Sequence, residues 1–478
     1  AAPIVLQSLQ STLEYHREHK TDIQACLDHL IAPFKELRAI LEHQIPDSST
    51  EVKGSPWFIS KVVEPLQKSL APLIFLPNVM PLKFLFSTEI FPWAFLYGFR
   101  KNLVFNKRFI IWVAYLLLGL IIWAPPVKNF WVPVRAMMAL MNACLLYWWT
   151  FRCNDRELER IDTAFQWVFG LTLGVGLLQN FYLFPTFLTT PIKWFIDRFE
   201  PIPLGGGRGV TSLFAEPSYA SIDMHYFFAY YLMIKRVSHR SREGMALIAG
   251  LILFDILVIR SITGTIMVSI YLMSLLRKKT LLQGLIIGIV TIATTFYIAR
   301  EMNTLPRSVE VAYDFIVNQE YKDPLPILLE QSGFRFISIW SAYRFGLLNP
   351  LGSGVGGWPD ASVDAMDALG VPASALSFFF ELSGGDYYGV RPTSFVAGLM
   401  LESGIVGVLL FMWAFGKYFL DARIYKDPHG RSIAVLFWFN LLMLGTIGDP
   451  IPFIIFGLCY KRLCPSVPAE PVHETVPE

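Results

Sequence analysis

Apolar residues along this chain follow two patterns. Within residues 1–65, Leu6, Leu9 and Leu13, then Ile23, Leu27, Leu30, Phe34, Leu37, Ile40 and Leu41, recur mostly at threes and fours with charges between them. That spacing predicts an amphipathic helix or helical hairpin. The segment 47–54 (DSSTEVKG) reads as a linker. Further on, the stripe gives way to continuous apolar runs such as 108–124 and 281–299. Each is close to the ~20 residues that cross a ~30 Å hydrocarbon core at 1.5 Å per residue. The pattern predicts an all-α polytopic membrane protein.

Basic clusters order these runs. They lie at 100–108, 152–160, 235–242, 277–279 and 417–431. If all are cytoplasmic, as the positive-inside rule asks, the runs between them must leave and return in pairs. They do: 108–124 with 132–150, 164–184 with 217–234, 245–259 with 263–276, and 280–299 with 393–416. A span near 84–98 precedes them, and 432–460 forms one span plus a short return broken at Asp449-Pro450. The expectation is about 10–12 transmembrane helices on a ~20-residue criterion. The domain reading is an N-terminal helical segment 1–65, membrane helices over 66–299 with an outer loop 185–215, a large outer loop 300–392, further membrane helices 393–460 and a tail 461–478. A loop as long as 300–392 is usually functional.

Composition agrees with this class. The 478 residues are 54% hydrophobic and 16% charged, against roughly 25% charged in a soluble domain. Lys+Arg 40 minus Asp+Glu 38 leaves +2, so bulk charge implies no nucleic-acid partner. A soluble enzyme, a secreted disulfide scaffold and a disordered regulator are excluded as expectations. Cys26, Cys144, Cys153, Cys459 and Cys464 show no C-x-x-C spacing and suggest neither zinc nor a disulfide framework. His16 and His19 lack further ligands nearby, so no metal site is expected. Residues 1–20 carry Glu14, His16, Arg17 and Glu18 where an apolar signal core would lie, so no signal peptide is expected there.

The candidate chemistry is carried by arginines on the side that the positive-inside rule disfavours: Arg198, Arg208, Arg260, Arg300, Arg307, Arg335, Arg344 and Arg391. A guanidinium kept there is a planar, permanently charged fork for phosphate. Arg208 opens a sharp cluster that runs through Glu216, Pro217 and Ser218, preceded by Gly205, Gly206 and Gly207. Proline suits a helix start, which puts Glu216 at or beside the N-cap. There it either caps the helix or serves an anion site. A second cluster holds Arg335 and Arg344 on a helix whose Phe336, Ile337, Trp340 and Tyr343 suggest that it lies in the membrane interface. A glycine-rich turn with Gly354 follows and could present N–H groups to phosphate, although such a turn is a weak signal by itself. Asp255, Arg260 and Glu402 sit in or near spans, where charges are paired or functional. For Asp255 and Glu402 the pairing reading is favoured.

Taken together, these residues resemble the O-antigen polymerase and O-antigen ligase superfamily of bacterial envelope glycosyltransferases. The resemblance rests on R-G-x-x-S-L-F-x-E-P-S at 208–218, a Ser/Thr-Gly motif at 261–264, R-x10-G at 335–346, N-P-L-G-x-G at 349–354 and E-x-G-I-x-G at 402–407. It covers roughly 165–460 and leaves out the N-terminal segment. It implies a GT-C-like membrane fold that joins undecaprenyl-diphosphate-linked oligosaccharides at the periplasmic face of the inner membrane, with no cofactor and no metal. Arg208, Glu216 and Arg335 would be catalytic, and Ser218, Arg260, Arg344, Gly354 and Arg391 would contact the lipid diphosphate or glycan. The implied partners are that lipid-linked oligosaccharide, the bilayer and, as a further candidate, a chain-length regulator or other polysaccharide-assembly protein. Ligases of the superfamily usually place a histidine where the large loop meets the next span, and here that place reads Arg391-Pro392-Thr393-Ser394. His225 reads as a packing residue. The expectation is therefore a repeat-unit polymerase. The alternatives are a ligase acting on a lipid or protein acceptor and, with less support, a transporter or flippase. A transporter would put its charges near the midplane of repeated halves, and no repeat is evident.

Overall fold

Local signals set where the helices begin. In the computed structural model the described residues are 70–76, 97, 105–122, 131–196, 198–204, 209–275, 334–370, 391–445 and 447–464. The chain divides into Ala1–Phe58 and Ile59–Glu478, and every described residue belongs to the second unit. The N-terminal amphipathic segment, the spans at 84–98 (Tyr97 apart) and 280–299, and Arg208, Arg300 and Arg307 lie outside the described residues.

The helices are α1 (Lys107–Ile122), α2 (Trp131–Phe151), α3 (Asp155–Asn180), α4 (Thr189–Phe195), α5 (Pro217–Lys235), α6 (Arg242–Phe254), α7 (Ile262–Leu275), α8 (Phe334–Leu348), α9 (Trp358–Asp367), α10 (Phe395–Phe419), α11 (Ala422–Lys426), α12 (Pro428–Phe439) and α13 (Ile451–Leu463). Among the described residues there is no strand. α3 starts with a capping box. Asn154 accepts from the Glu157 N–H at 2.9 Å, and Glu157 accepts from the Asn154 N–H at 2.8 Å. Ser241, Ser394 and Asp427 cap α6, α10 and α12.

Among the described residues, helices stand where the apolar runs predict them, with shifted ends. α3 begins earlier than the expected 164, because its capping box includes the charged turn before the apolar run. α6 and α12 each end in a π turn, Asp255–Ile259 and Asn440–Leu444. Among the described residues, α3 (26 residues) and α10 (25 residues) are long and apolar enough to cross a membrane. The sequence pattern predicts about 10–12 over the whole chain. The expected spans at 84–98 and 280–299 fall almost wholly outside the described residues, π turns follow α6 and α12, and α13 ends after 13 residues.

The large loop expected over 300–392 is not irregular where it is described. It folds into α8 and α9, both packed on α10. α8 buries Ile339 and Ala342 against Ala397 and Leu401, while Phe336 and Trp340 face outward. Of the residues expected on its apolar side, Ile337 is thus turned inward and Phe336 and Trp340 outward.

The core is aromatic. Phe419, Phe437 and Phe456 are fully buried, with ring centroids 4.9 Å (Phe419–Phe437) and 4.5 Å (Phe437–Phe456) apart. Such pairs add to the area they bury. Tyr147 of α2 joins them from the side, 5.5 Å from Phe419.

The two ends of the bundle differ. At one end the basic segments meet. Lys461 donates to the Phe151 carbonyl at 3.3 Å, Arg431 to the Ser274 carbonyl at 3.0 Å, and Arg462 pairs with Asp162. Asp421, held by Arg423 hydrogen bonds, has its carboxyl lowered to about 2. The His239 and His429 rings lie 4.2 Å apart at the same end. The starts of α5, α8 and α10 define the other end, where the candidate site lies.

Candidate functional site at the start of α5

Pro217 occupies the first position of α5, where its missing N–H costs nothing. Glu216 stands at the N-cap position with extended backbone, φ −148° and ψ 154°, yet its side chain caps no helix N–H. The carboxylate turns away instead. One oxygen pairs with Arg198, and the other faces the Arg335 guanidinium at 3.5 Å and accepts from the Ser218 hydroxyl at 3.4 Å. A residue at a cap position is thus used to hold two guanidinium groups. Both remain reachable, with side chains 69% (Arg198) and 43% (Arg335) exposed.

Each partner is positioned by buried structure. Arg198 has left-handed backbone (φ 57°) and precedes Phe199, which is buried 5.3 Å from the Phe184 ring. Buried Gln179 at the end of α3 fastens both segments leading to the site. Its amide donates to the Glu200 carbonyl at 2.6 Å and accepts from the Ser212 N–H at 2.8 Å. Val210 donates to the Val258 carbonyl at 3.1 Å, and a Cβ on Gly209 would stand 2.1 Å from the Ile259 carbonyl oxygen. The residue after Arg208 is therefore locked against the π turn.

Arg335 is placed by the fit of α8 on α10. A Cβ on Gly346 would lie 2.5 Å from the Met400 carbonyl oxygen, so only glycine allows this approach. Beyond α8, the Ser353 N–H donates to the Leu401 carbonyl at 3.0 Å, and the Val406 N–H to the Pro350 carbonyl at 3.1 Å. α10 opens at Gly404 (φ 62°, ψ −172°) to admit this turn.

The other expected site residues are drawn elsewhere. Arg391 and Glu402 form an ion pair at 2.7 Å, with the guanidinium 5.8 Å over the Trp358 ring. Arg344 donates to the Ala368 carbonyl at 2.7 Å, where α9 ends. Arg260, with left-handed backbone (φ 51°), reaches the Leu257 carbonyl at 3.0 Å and the Asn180 side chain at 3.4 Å. Gly354 is buried in a turn closed by the Gly357 N–H at 3.0 Å. Asp255 accepts from Ser221, and a Cβ on Gly264 would lie 2.1 Å from its other oxygen, which accounts for the Ser/Thr-Gly motif as packing. His225 is buried with Nδ1 2.7 Å from the Ser221 carbonyl.

The structure therefore joins Glu216, Ser218 and Arg335 from the expected set, and adds Arg198. Asp223 was missed. It is buried on α5, two turns below Glu216, with Oδ1 lacking a hydrogen-bond partner. A lone acid inside an apolar helical run was the available signal. Among the described residues no group of His, Cys, Asp and Glu is arranged to hold a metal ion. Chemically, two guanidinium groups share one carboxylate at a solvent-reachable surface, so within this trio of described residues one positive charge is not balanced by Glu216. Comparisons with protein-family models, curated proteins and solved structures find no match for this chain.

Proposed function

We propose that the chain is a polytopic membrane glycosyltransferase that polymerises undecaprenyl-diphosphate-linked oligosaccharide units at the periplasmic face of a bacterial inner membrane. The observation that carries this reading is the Arg198–Glu216–Arg335 bridge, which spends a cap position on fixing two phosphate forks. A membrane setting is supported by large apolar residues facing outward along α3 and α10, Trp167 (76% exposed), Leu171, Leu409 and Trp413 among them. Exposed apolar surface on that scale needs a partner.

In this reading an acceptor-sugar hydroxyl attacks the anomeric carbon of the donor. The bond from that carbon to the diphosphate oxygen breaks, and the electron pair leaves on the diphosphate. Arg198 and Arg335 stabilise the charge that develops there, as positioned donors aimed at a leaving group do. Arg208, eight residues before Glu216 in the sequence, is proposed to share this task. Glu216 orients both forks. The hydroxyl's proton passes to a base that the described residues leave unassigned.

The test compares Glu216→Gln with Glu216→Ser in membranes containing equal protein, reading polymer length. Both should lose activity by ~10²-fold or more. Serine caps helices well and restores nothing if capping is not the role of Glu216. A fully active Glu216→Ser variant would end the proposal for this residue.

A further inference from the structure

The stretch from the end of α3 through α4 is unlike an aqueous loop. Phe181, Tyr182, Leu183, Phe187, Trp194 and Phe195 are all exposed, Phe187 by 76% and Trp194 by 68%. This is not slack chain. Phe184 and Ile196 of the same stretch are buried, and Phe184 stacks edge-on against Phe199 at 5.3 Å. The segment is pinned by one set of apolar residues while another points outward. Between 181 and 196 the one charged residue is Lys193, tied to Glu200 at 2.8 Å.

The outward set continues the exposed apolar side of α3, where Leu171, Leu177 and Leu178 also face out. α3 is long enough to cross a membrane, whereas α4 has 7 residues and is far too short. Aromatic rings collected at the end of a spanning helix, with basic residues beside them, suit the boundary between headgroups and acyl chains. Lys193 and Arg198 are paired with Glu200 and Glu216, so the exposed rings rather than net charge make the match to that boundary.

We propose that residues 181–195 form an interfacial foot whose partner is the headgroup–acyl boundary of a lipid bilayer. The foot lies in the plane of the membrane and holds the adjoining Arg198–Glu216–Arg335 bridge at headgroup depth, the level at which a lipid diphosphate is presented. This rests on the membrane reading above and replaces the aqueous outer loop expected for the first part of 185–215.

The test uses the full chain, with its native cysteines replaced by alanine, in vesicles of phosphatidylcholine and phosphatidylglycerol. Single cysteines at Phe187, Trp194, Leu171 and Ser238 carry a nitroxide, and accessibility to oxygen and to a water-soluble nickel complex gives each depth. The expected result places 187 and 194 at shallow depth, 171 deeper and 238 in water. Labels at 187 and 194 in water with 171 in the acyl region overturn the foot and leave the membrane reading standing. Labels at 187 and 194 shielded from both reagents mean that protein, such as a second copy of the chain, covers the patch, and also overturn it. All four labels in water overturn the membrane reading itself.

Discussion

Arg391 donates to Glu402 at 2.7 Å, and the two side chains are only 8% and 0% exposed. This pair fastens the return of the large loop to α10 beside the opening at Gly404. Removing one partner takes the ion pair from a buried charge, and breaking a buried pair in this way costs about 3–5 kcal/mol. Glu402→Ala and Arg391→Ala should each lower stability by that order in a denaturation series in detergent. The double variant Arg391→Met/Glu402→Leu should recover most of the loss. Single variants as stable as the parent would show that the pair holds nothing.

Gly404 and Gly170 make a contrasting pair. A Cβ at Gly404 would sit 2.1 Å from the Pro350 carbonyl oxygen on a backbone with φ 62°, whereas one at Gly170 meets nothing within 4 Å. Gly404→Ala should cost about 2 kcal/mol or more through strain and overpacking. Gly170→Ala, inside α3, should gain roughly 0.5–1 kcal/mol. Melting temperatures of the two variants decide the matter.

Arg335 and Arg344 ride one helix with different partners, the Glu216 carboxylate and the Ala368 carbonyl. Arg335→Ala should abolish polymerisation, and Arg335→Lys should rescue poorly, because a point charge does not replace a bidentate fork. Arg344→Ala should keep its polymer length. Equal loss in both alanine variants would count against a specific role for Arg335.

At the basic end, burial and then the neighbouring His429 ring push His239 down from 6.5 to about 4, with Asp427 and Arg431 also acting on it. The unfolded chain therefore takes up this proton below pH 6.5, while the folded chain resists it down to about 4. Stability is complete above that window and falls as pH drops through it. His239→Gln should flatten the fall in melting temperature between pH 6.5 and about 4.

Sidedness is open to direct labelling. Ser238 lies between α5 and α6 at the basic end, and Asp364 is on α9; both are exposed. Cysteines at these positions in sealed vesicles should react from opposite sides. Reaction of both from one side would refute the span pairing.

Helix existence was legible because its causes are local. A proline at 217 and an apolar run each act within a few residues, so α5 and α10 could be placed from spacing alone, whereas the start of α3 was set by a capping box that the apolar run did not reveal. The π turns after Phe254 and Phe439 and the break at Gly404 carry no comparable local signal. They answer to what packs against them, as the Pro350 carbonyl does at Gly404.

The candidate site divides along the same line. By itself, the sequence determined which residues carry charge at the apolar boundaries, and so nominated Glu216, Arg335, Arg344 and Arg391 alike. Only the tertiary structure decided among them. Arg391 went to Glu402, Arg344 to the end of α9, and Glu216 left its cap position for Arg198 and Arg335. The physical reason is range. Helix propensity is settled by neighbours along the chain, whereas the partner of a guanidinium is settled by whichever carboxylate or carbonyl the packed helices bring within a few ångströms.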